Sequence, residues 1–167
     1  MALLGCAKRR RERDWLMILV AFAHGLRASE VVQLTRDNFH GDRLNVQRLK
    51  GSRFTSQPLV EHPEPLLNER QALFAFLAKM QGKRRLFPIT RQRFWQIVQE
   101  HAEAAGIAPH LRHPHVLKHS IAMQMIGTAG IENTRQYLGH ESISSTGEYL
   151  EVTDEDASQA ARRALEA

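Results

Sequence analysis

One cysteine, Cys6, stands in 167 residues, so no disulfide forms within the chain and no cysteine-built metal site fits it. Long hydrophobic runs are missing too. The longest, Trp15 to Ala23, is far shorter than the ~20 apolar residues a membrane span requires. Arg9, Arg10 and Arg11 precede that run as they would in a secretory signal, yet His24-Gly25-Leu26-Arg27 follows where small residues would mark a cleavage site. These absences predict a soluble cytoplasmic protein. There are only two tyrosines, Tyr137 and Tyr149, no internal repeat and no low-complexity segment. What remains is ordinary globular composition, 43% hydrophobic and 25% charged, on a length that suits one domain with a proper core.

Acidic residues are scarce in the front of the chain. Residues 1–118 hold 20 Lys+Arg against 10 Asp+Glu, whereas residues 119–167 hold 3 against 8. A basic body with an acidic tail suits a polyanionic partner for the body.

Periodicity predicts a mainly α fold with one small antiparallel β-sheet. Asp14 is a candidate cap for a helix from Trp15 to Ala23, with Gly25 ending it and a short helix from Ser29 to about Leu34 following. Leu44 to Gln47 alternates apolar and polar, Lys50-Gly51-Ser52 reads as a turn, and Phe54 to Val60 is extended, together a β-hairpin. Leu66 to Met80 carries a helical stripe. Thr90 to Ala105 is expected as a helix with Phe94, Trp95, Ile97 and Val98 inward. Pro114 opens another helix that Gly127 and Gly130 end, and short helices follow over Ile131 to Leu138 and Ser142 to Leu150. Asp154 to Ala167 reads as a final alanine-rich helix.

Several short motifs then fall in order. His24-Gly25-Leu26-Arg27-Ala28-Ser29-Glu30 resembles the box T-G-x-R-x-x-E of the tyrosine recombinases (phage integrase family). Lys50 sits in the hairpin turn, as that family's lysine does. His115-Val116-Leu117-Lys118-His119-Ser120 resembles H-x-L-R-H-S/T, Leu138-Gly139-His140 resembles L-G-H, and Tyr149 follows His140 by nine residues. Each box alone is weak, and their order and spacing carry the resemblance over about Asp14 to Val152.

The resemblance implies a tyrosine-recombinase catalytic domain over residues 1–153, with residues 154–167 as a helical tail and no room for the family's N-terminal clamp domain. It implies cleavage of double-stranded DNA by Tyr149, leaving a 3′-phosphotyrosine and a free 5′-hydroxyl, then religation by the reverse attack. Arg27 would hold non-bridging phosphate oxygens with its planar fork, Lys50 would protonate the leaving oxygen, and His115 and His140 would bond the phosphate, one of them taking the phenolic proton. No metal and no cofactor are implied. The family assembles as a tetrameric synapse on DNA, in which the tail docks on a neighbour, and it works at the nucleoid. One departure stands out: the family's second arginine is Lys118 here, which keeps a charge but loses the bidentate fork. A weakened DNA-binding or regulatory module on the same fold, or an enzyme resembling the type IB topoisomerases, are the alternatives. His24, His113 and His119 read as surface or packing residues.

Overall fold

The computed structural model describes residues 1–49, 53–80, 82 and 85–140. At its centre lies a helix, α2 (Glu12–Ala23), in which every side chain from Asp14 to Ala21 is buried. A helix apolar on all sides must be covered on all sides. It packs against α1 (Ala2–Arg10), the short α3 (Ala28–Val31), α4 (Glu69–Ala78) and the long α6 (His115–Leu138), while α5 (Arg91–Ala104) closes over α1 and α3. Trp15, Leu16, Ile18, Leu26, Leu73, Phe87, Phe94 and Ile97 are all essentially inaccessible to solvent. Each such side chain contributes about 1.5–3 kcal/mol relative to exposure.

The expected hairpin is present and is extended by one strand. Strands β1 (Phe39–His40), β2 (Arg43–Gln47) and β3 (Phe54–Pro58) form an antiparallel sheet in that order, with Leu44 opposite Gln57 and Val46 opposite Thr55. The inner face of β2 is apolar, through Leu44 and Val46, but that of β3 is polar, through buried Thr55 and Gln57. Buried polar side chains need partners, and these two find them in the site described below.

Four expectations are corrected. Asp14 does not cap α2: the helix starts earlier, at Glu12, and the buried Asp14 carboxylate instead meets Arg13 at 2.7 Å and His101 of α5 at 3.4 Å. Helix α4 begins only at Glu69, where Asn68 accepts a hydrogen bond from the Gln71 amide as its cap. Trp95 is 43% exposed, because Phe94, Ile97, Val98 and His101 complete the buried stripe of α5 and leave Trp95 on its flank, about 100° from Phe94. Gly127 does not end α6; the helix runs through it and kinks only at Gly130. The helix α1 was not anticipated, since only Leu4 and Ala7 are fully buried in it and a basic run follows. The expected turn at Lys50, the helices over Ser142 to Leu150 and Asp154 to Ala167, and Tyr149 lie outside the described residues. No helix among the described residues is long and apolar enough to cross a membrane.

Candidate active site

Arg27 is positioned by the break after α2. Gly25 takes a left-handed conformation (φ +57°), Leu26 is buried, and Arg27 becomes the extended residue that precedes α3. Glu30, buried in α3, accepts a hydrogen bond from the Arg27 amide at 2.7 Å and another from Arg27 Nη1 at 3.3 Å. Arg27 Nη1 also donates to the Leu49 carbonyl at 2.9 Å, and the Leu49 amide donates to Glu30 at 3.1 Å. The Arg27 guanidinium is thus fastened to the end of β2, next to position 50.

Sequence reading missed Arg48. This side chain is buried and donates to Thr55 Oγ1 (2.9 Å), the His24 carbonyl (2.7 Å), Gln57 Oε1 (3.1 Å), the Gly25 carbonyl (3.3 Å) and Glu30 (3.4 Å). It joins the sheet to the loop that carries Arg27. A lone arginine in a basic sequence offers no periodic signal, so only its position just before Leu49-Lys50 could have singled it out.

The first turn of α6 brings His115 and Lys118 to the same place. His115 is exposed at the rim, and Lys118 is 1% exposed, its Nζ without a hydrogen-bond partner among the described residues. Burial, together with the neighbouring Arg27 and Arg48, lowers the Lys118 pKa to about 7, against a smaller opposing pull from Glu30. His140 arrives from the far end of α6, where Gly139 turns the chain in a left-handed conformation (φ +70°). A β-carbon on Gly139 would stand 2.9 Å from Thr55 and 3.0 Å from Arg48, so the chain approaches the sheet too closely for any other residue. His140 is buried, and burial plus the charges of Lys118, Arg27 and Arg48 hold its pKa down at about 4. Partial desolvation and the same kind of neighbours, Lys118 first, also lower the His115 pKa.

Of the six residues singled out by motif, Arg27, His115, Lys118 and His140 are therefore brought together from the α2–α3 loop and the two ends of α6. Lys50 and Tyr149 lie outside the described residues. The other tyrosine, Tyr137, has a structural setting: its hydroxyl donates to the Ala23 carbonyl at 2.8 Å, and burial pushes its pKa up to about 12. Beside the cluster opens a cleft of about 670 Å³, lined by Arg27, Ser29, Arg91, Gln92, Trp95, His113 and His115. Basic side chains and an exposed indole ring suit a nucleic-acid backbone with a base or sugar alongside. Among the described residues no group of His, Cys, Asp or Glu is arranged to hold a metal ion. Chemically the cluster can hold a phosphate with fixed cations and offer neutral imidazoles for proton transfer.

Comparison with known proteins gives the family and the fold. The chain matches the phage integrase family over residues 2–156. It is 35% identical over 156 residues to the tyrosine recombinase XerD of Xanthomonas axonopodis pv. citri, covering 84% of this chain and 51% of that protein. It is 32% identical over 165 residues to the tyrosine recombinase XerA of Pyrococcus furiosus, covering 91% and 54%. The chain thus spans about half the length of the curated relatives it matches. Its fold is that of the XerA recombinase crystal structure (TM-score 0.75, 20% identity, 97% of this chain and 61% of that one). It is equally that of the XerH recombinase bound to its difH substrate before cleavage (TM-score 0.75, 18% identity, 96% and 50%). The chain belongs to the phage integrase family and carries its tyrosine-recombinase catalytic domain.

Proposed function

We propose that this chain is the catalytic part of a site-specific recombinase that cuts and rejoins duplex DNA through Tyr149. The observation that carries the reading is Lys118 Nζ, a buried donor with no partner among the described residues, set beside Arg27 and between two histidines of lowered pKa. Such a donor wants an acceptor from outside, and the surrounding cations select an anionic one. A DNA phosphate suits it.

In this reading the Tyr149 oxygen attacks phosphorus, the bond to the 5′-oxygen breaks, and Lys50 gives that oxygen a proton. Arg27 and Lys118 stabilise charge on the equatorial oxygens. His115 and His140, with pKa values below the usual imidazole range, are neutral near pH 7. One can accept the phenolic proton while the other donates to the phosphate. The bond energy stays in the phosphotyrosine, so religation needs no nucleotide cofactor.

Residues 1–153 serve as the catalytic domain and the acidic 154–167 as a tail that docks on a neighbouring protomer in a tetrameric synapse. The working place is the nucleoid. With its pKa at about 7, Lys118 is only partly charged in the free protein, which favours an activity lower than an arginine at this position would support. A duplex with a nick next to the scissile phosphate tests the assignment, because release of the short strand traps the adduct. Covalent protein–DNA product on a denaturing gel is the expected result. Its absence with every DNA site from the flanks of the gene would leave a binding module.

A further inference from the structure

The box that carries Arg27 begins with His24, and this histidine is fully buried against an equally buried carboxylate, Glu69. His24 Nε2 lies 2.8 and 3.0 Å from the two Glu69 oxygens. Nδ1 lies 3.0 Å from Gln57 Oε1. The orientation of the Gln57 amide is settled by its other contacts: Nε2 donates to the Tyr137 carbonyl at 2.7 Å, and Oε1 accepts from Arg48 at 3.1 Å. Both ring nitrogens of His24 therefore face oxygen atoms. Glu69 also accepts from the Val60 amide at 3.0 Å, which fixes the carboxylate at the start of α4.

From this pair a continuous hydrogen-bonded path runs to the site. Gln57 is shared with Arg48, Arg48 reaches Glu30, and Glu30 holds Arg27 through both its amide and its guanidinium. Arg48 is fastened to His24 a second time, through the His24 carbonyl. A buried polar pair is weak support for stability alone, since desolvation offsets much of its attraction. It is a means of fixing one geometry, because every member of the path is held by more than one hydrogen bond.

We propose that His24 and Glu69 are positioning residues for strand cleavage, setting through Gln57 and Arg48 the orientation of the Arg27 guanidinium and of the β2 end that leads to Lys50. The inference rests on the reading of Arg27 as a phosphate-binding group. Neither His24 nor Glu69 touches the cleft; they act only through the path. A shift of an ångström in a phosphate-binding group costs up to roughly a hundredfold in rate, so a small loosening at His24 is enough to be read.

The test compares the full chain with His24→Leu, Glu69→Gln and Gln57→Met, the last of which cuts the side-chain path while leaving the His24–Glu69 contact in place. His101→Leu removes a histidine that is just as buried but pairs with Asp14, at the opposite end of α2 from His24, and serves as control. Two readouts are taken at a temperature where thermal denaturation shows each variant folded. One is the single-turnover rate of adduct formation at saturating nicked duplex, beside the duplex Kd. The other is the ¹⁵N–¹H signal of the Arg27 guanidinium, assigned by its loss in Arg27→Lys.

The relay variants are expected to slow adduct formation about tenfold or more with Kd within about twofold, and to move or broaden the Arg27 signal. His101→Leu is expected to change neither. Relay variants that are folded and keep both the wild-type rate and the wild-type Arg27 signal would overturn the proposal, as would an equal loss in the His101→Leu control. If His24→Leu does not fold, Glu69→Gln and Gln57→Met decide. If the unaltered chain forms no adduct, it is the recombinase reading that fails, and the Arg27 signal alone then decides the relay.

Discussion

Gly25 and Leu138 sit so close that a β-carbon on Gly25 would lie 2.4 Å from Leu138 Cδ2. The contact joins the loop that presents Arg27 to the end of α6 that presents His140. Two costs therefore fall together on any substitution. The positive φ of +57° disfavours a β-carbon, and the packing admits one only if the buried Leu138 side chain shifts. Gly25→Ala is expected to lower stability by about 2–4 kcal/mol, measured by urea denaturation. Adduct formation should fall further than stability alone explains, because the Arg27 and His140 segments separate. A variant within about 0.5 kcal/mol of the parent would mean the loop and α6 yield freely.

Lys118 makes a prediction about pH and stability. Its pKa is about 7 in the folded protein against 10.5 for an ordinary lysine. Below pH 7 both folded and unfolded states hold the proton, and the folded state bears the whole cost of burying it. Between pH 7 and 10.5 the unfolded chain holds a proton that the folded one lacks, so stability rises with pH across that window. The cost is on the order of 5 kcal/mol at its fullest. Lys118→Met, of similar length and no charge, is therefore expected to stabilise the free protein by several kcal/mol at pH 6 and by much less at pH 10. Denaturant midpoints at the two pH values check this. Equal gains at both would show that Lys118 is not forced toward neutrality.

The two tyrosines separate cleanly. Tyr137 donates its hydroxyl to the Ala23 carbonyl, so Tyr137→Phe should cost about 1 kcal/mol and leave adduct formation intact. Tyr149→Phe should abolish the adduct and leave duplex affinity nearly unchanged. An adduct that survives loss of the Tyr149 hydroxyl would remove it as nucleophile.

Much of this site was legible because its chemistry restricts residue types at fixed spacings. Arg27, His115, Lys118 and His140 stand in short boxes, and the fold brings those boxes together. The hairpin was legible because Leu44 and Val46 alternate with polar residues against a turn. Arg48 was not, because its partners come from separate segments, the α2–α3 loop, α3 and β3, and no local pattern announces them. His24 read as a surface or packing residue; its burial excludes the first, but Glu69 lies 45 residues away in sequence, and their pairing is a tertiary fact. Trp95 failed for a geometric reason: adjacent residues on a helix point about 100° apart, so Phe94 inward puts Trp95 at the edge of the cleft.

The substitution Lys118→Arg joins the pH argument to catalysis. Arginine offers two parallel donors to a phosphate where lysine offers one point charge. Loss of a donor aimed at transition-state charge costs about 3 kcal/mol, so restoring arginine should raise adduct formation by roughly a hundredfold. The size of the gain should itself depend on pH. Arginine stays charged throughout, whereas Lys118 in the free protein loses its proton as pH rises through about 7, so fewer molecules of the parent are charged when DNA arrives. Activation of the Tyr149 phenol also changes with pH, but it does so in both proteins and cancels in the ratio of their rates. That ratio should therefore rise from pH 6 to pH 8.5 at low duplex concentration. Saturating duplex should flatten it, because a bound phosphate pulls the lysine pKa back up. The guanidinium is bulkier than the ammonium in a site that is 1% exposed, so the variant's folding is checked by its denaturation midpoint first. A folded variant whose rate matches the parent at every pH would show that Lys118 does not touch the reacting phosphate.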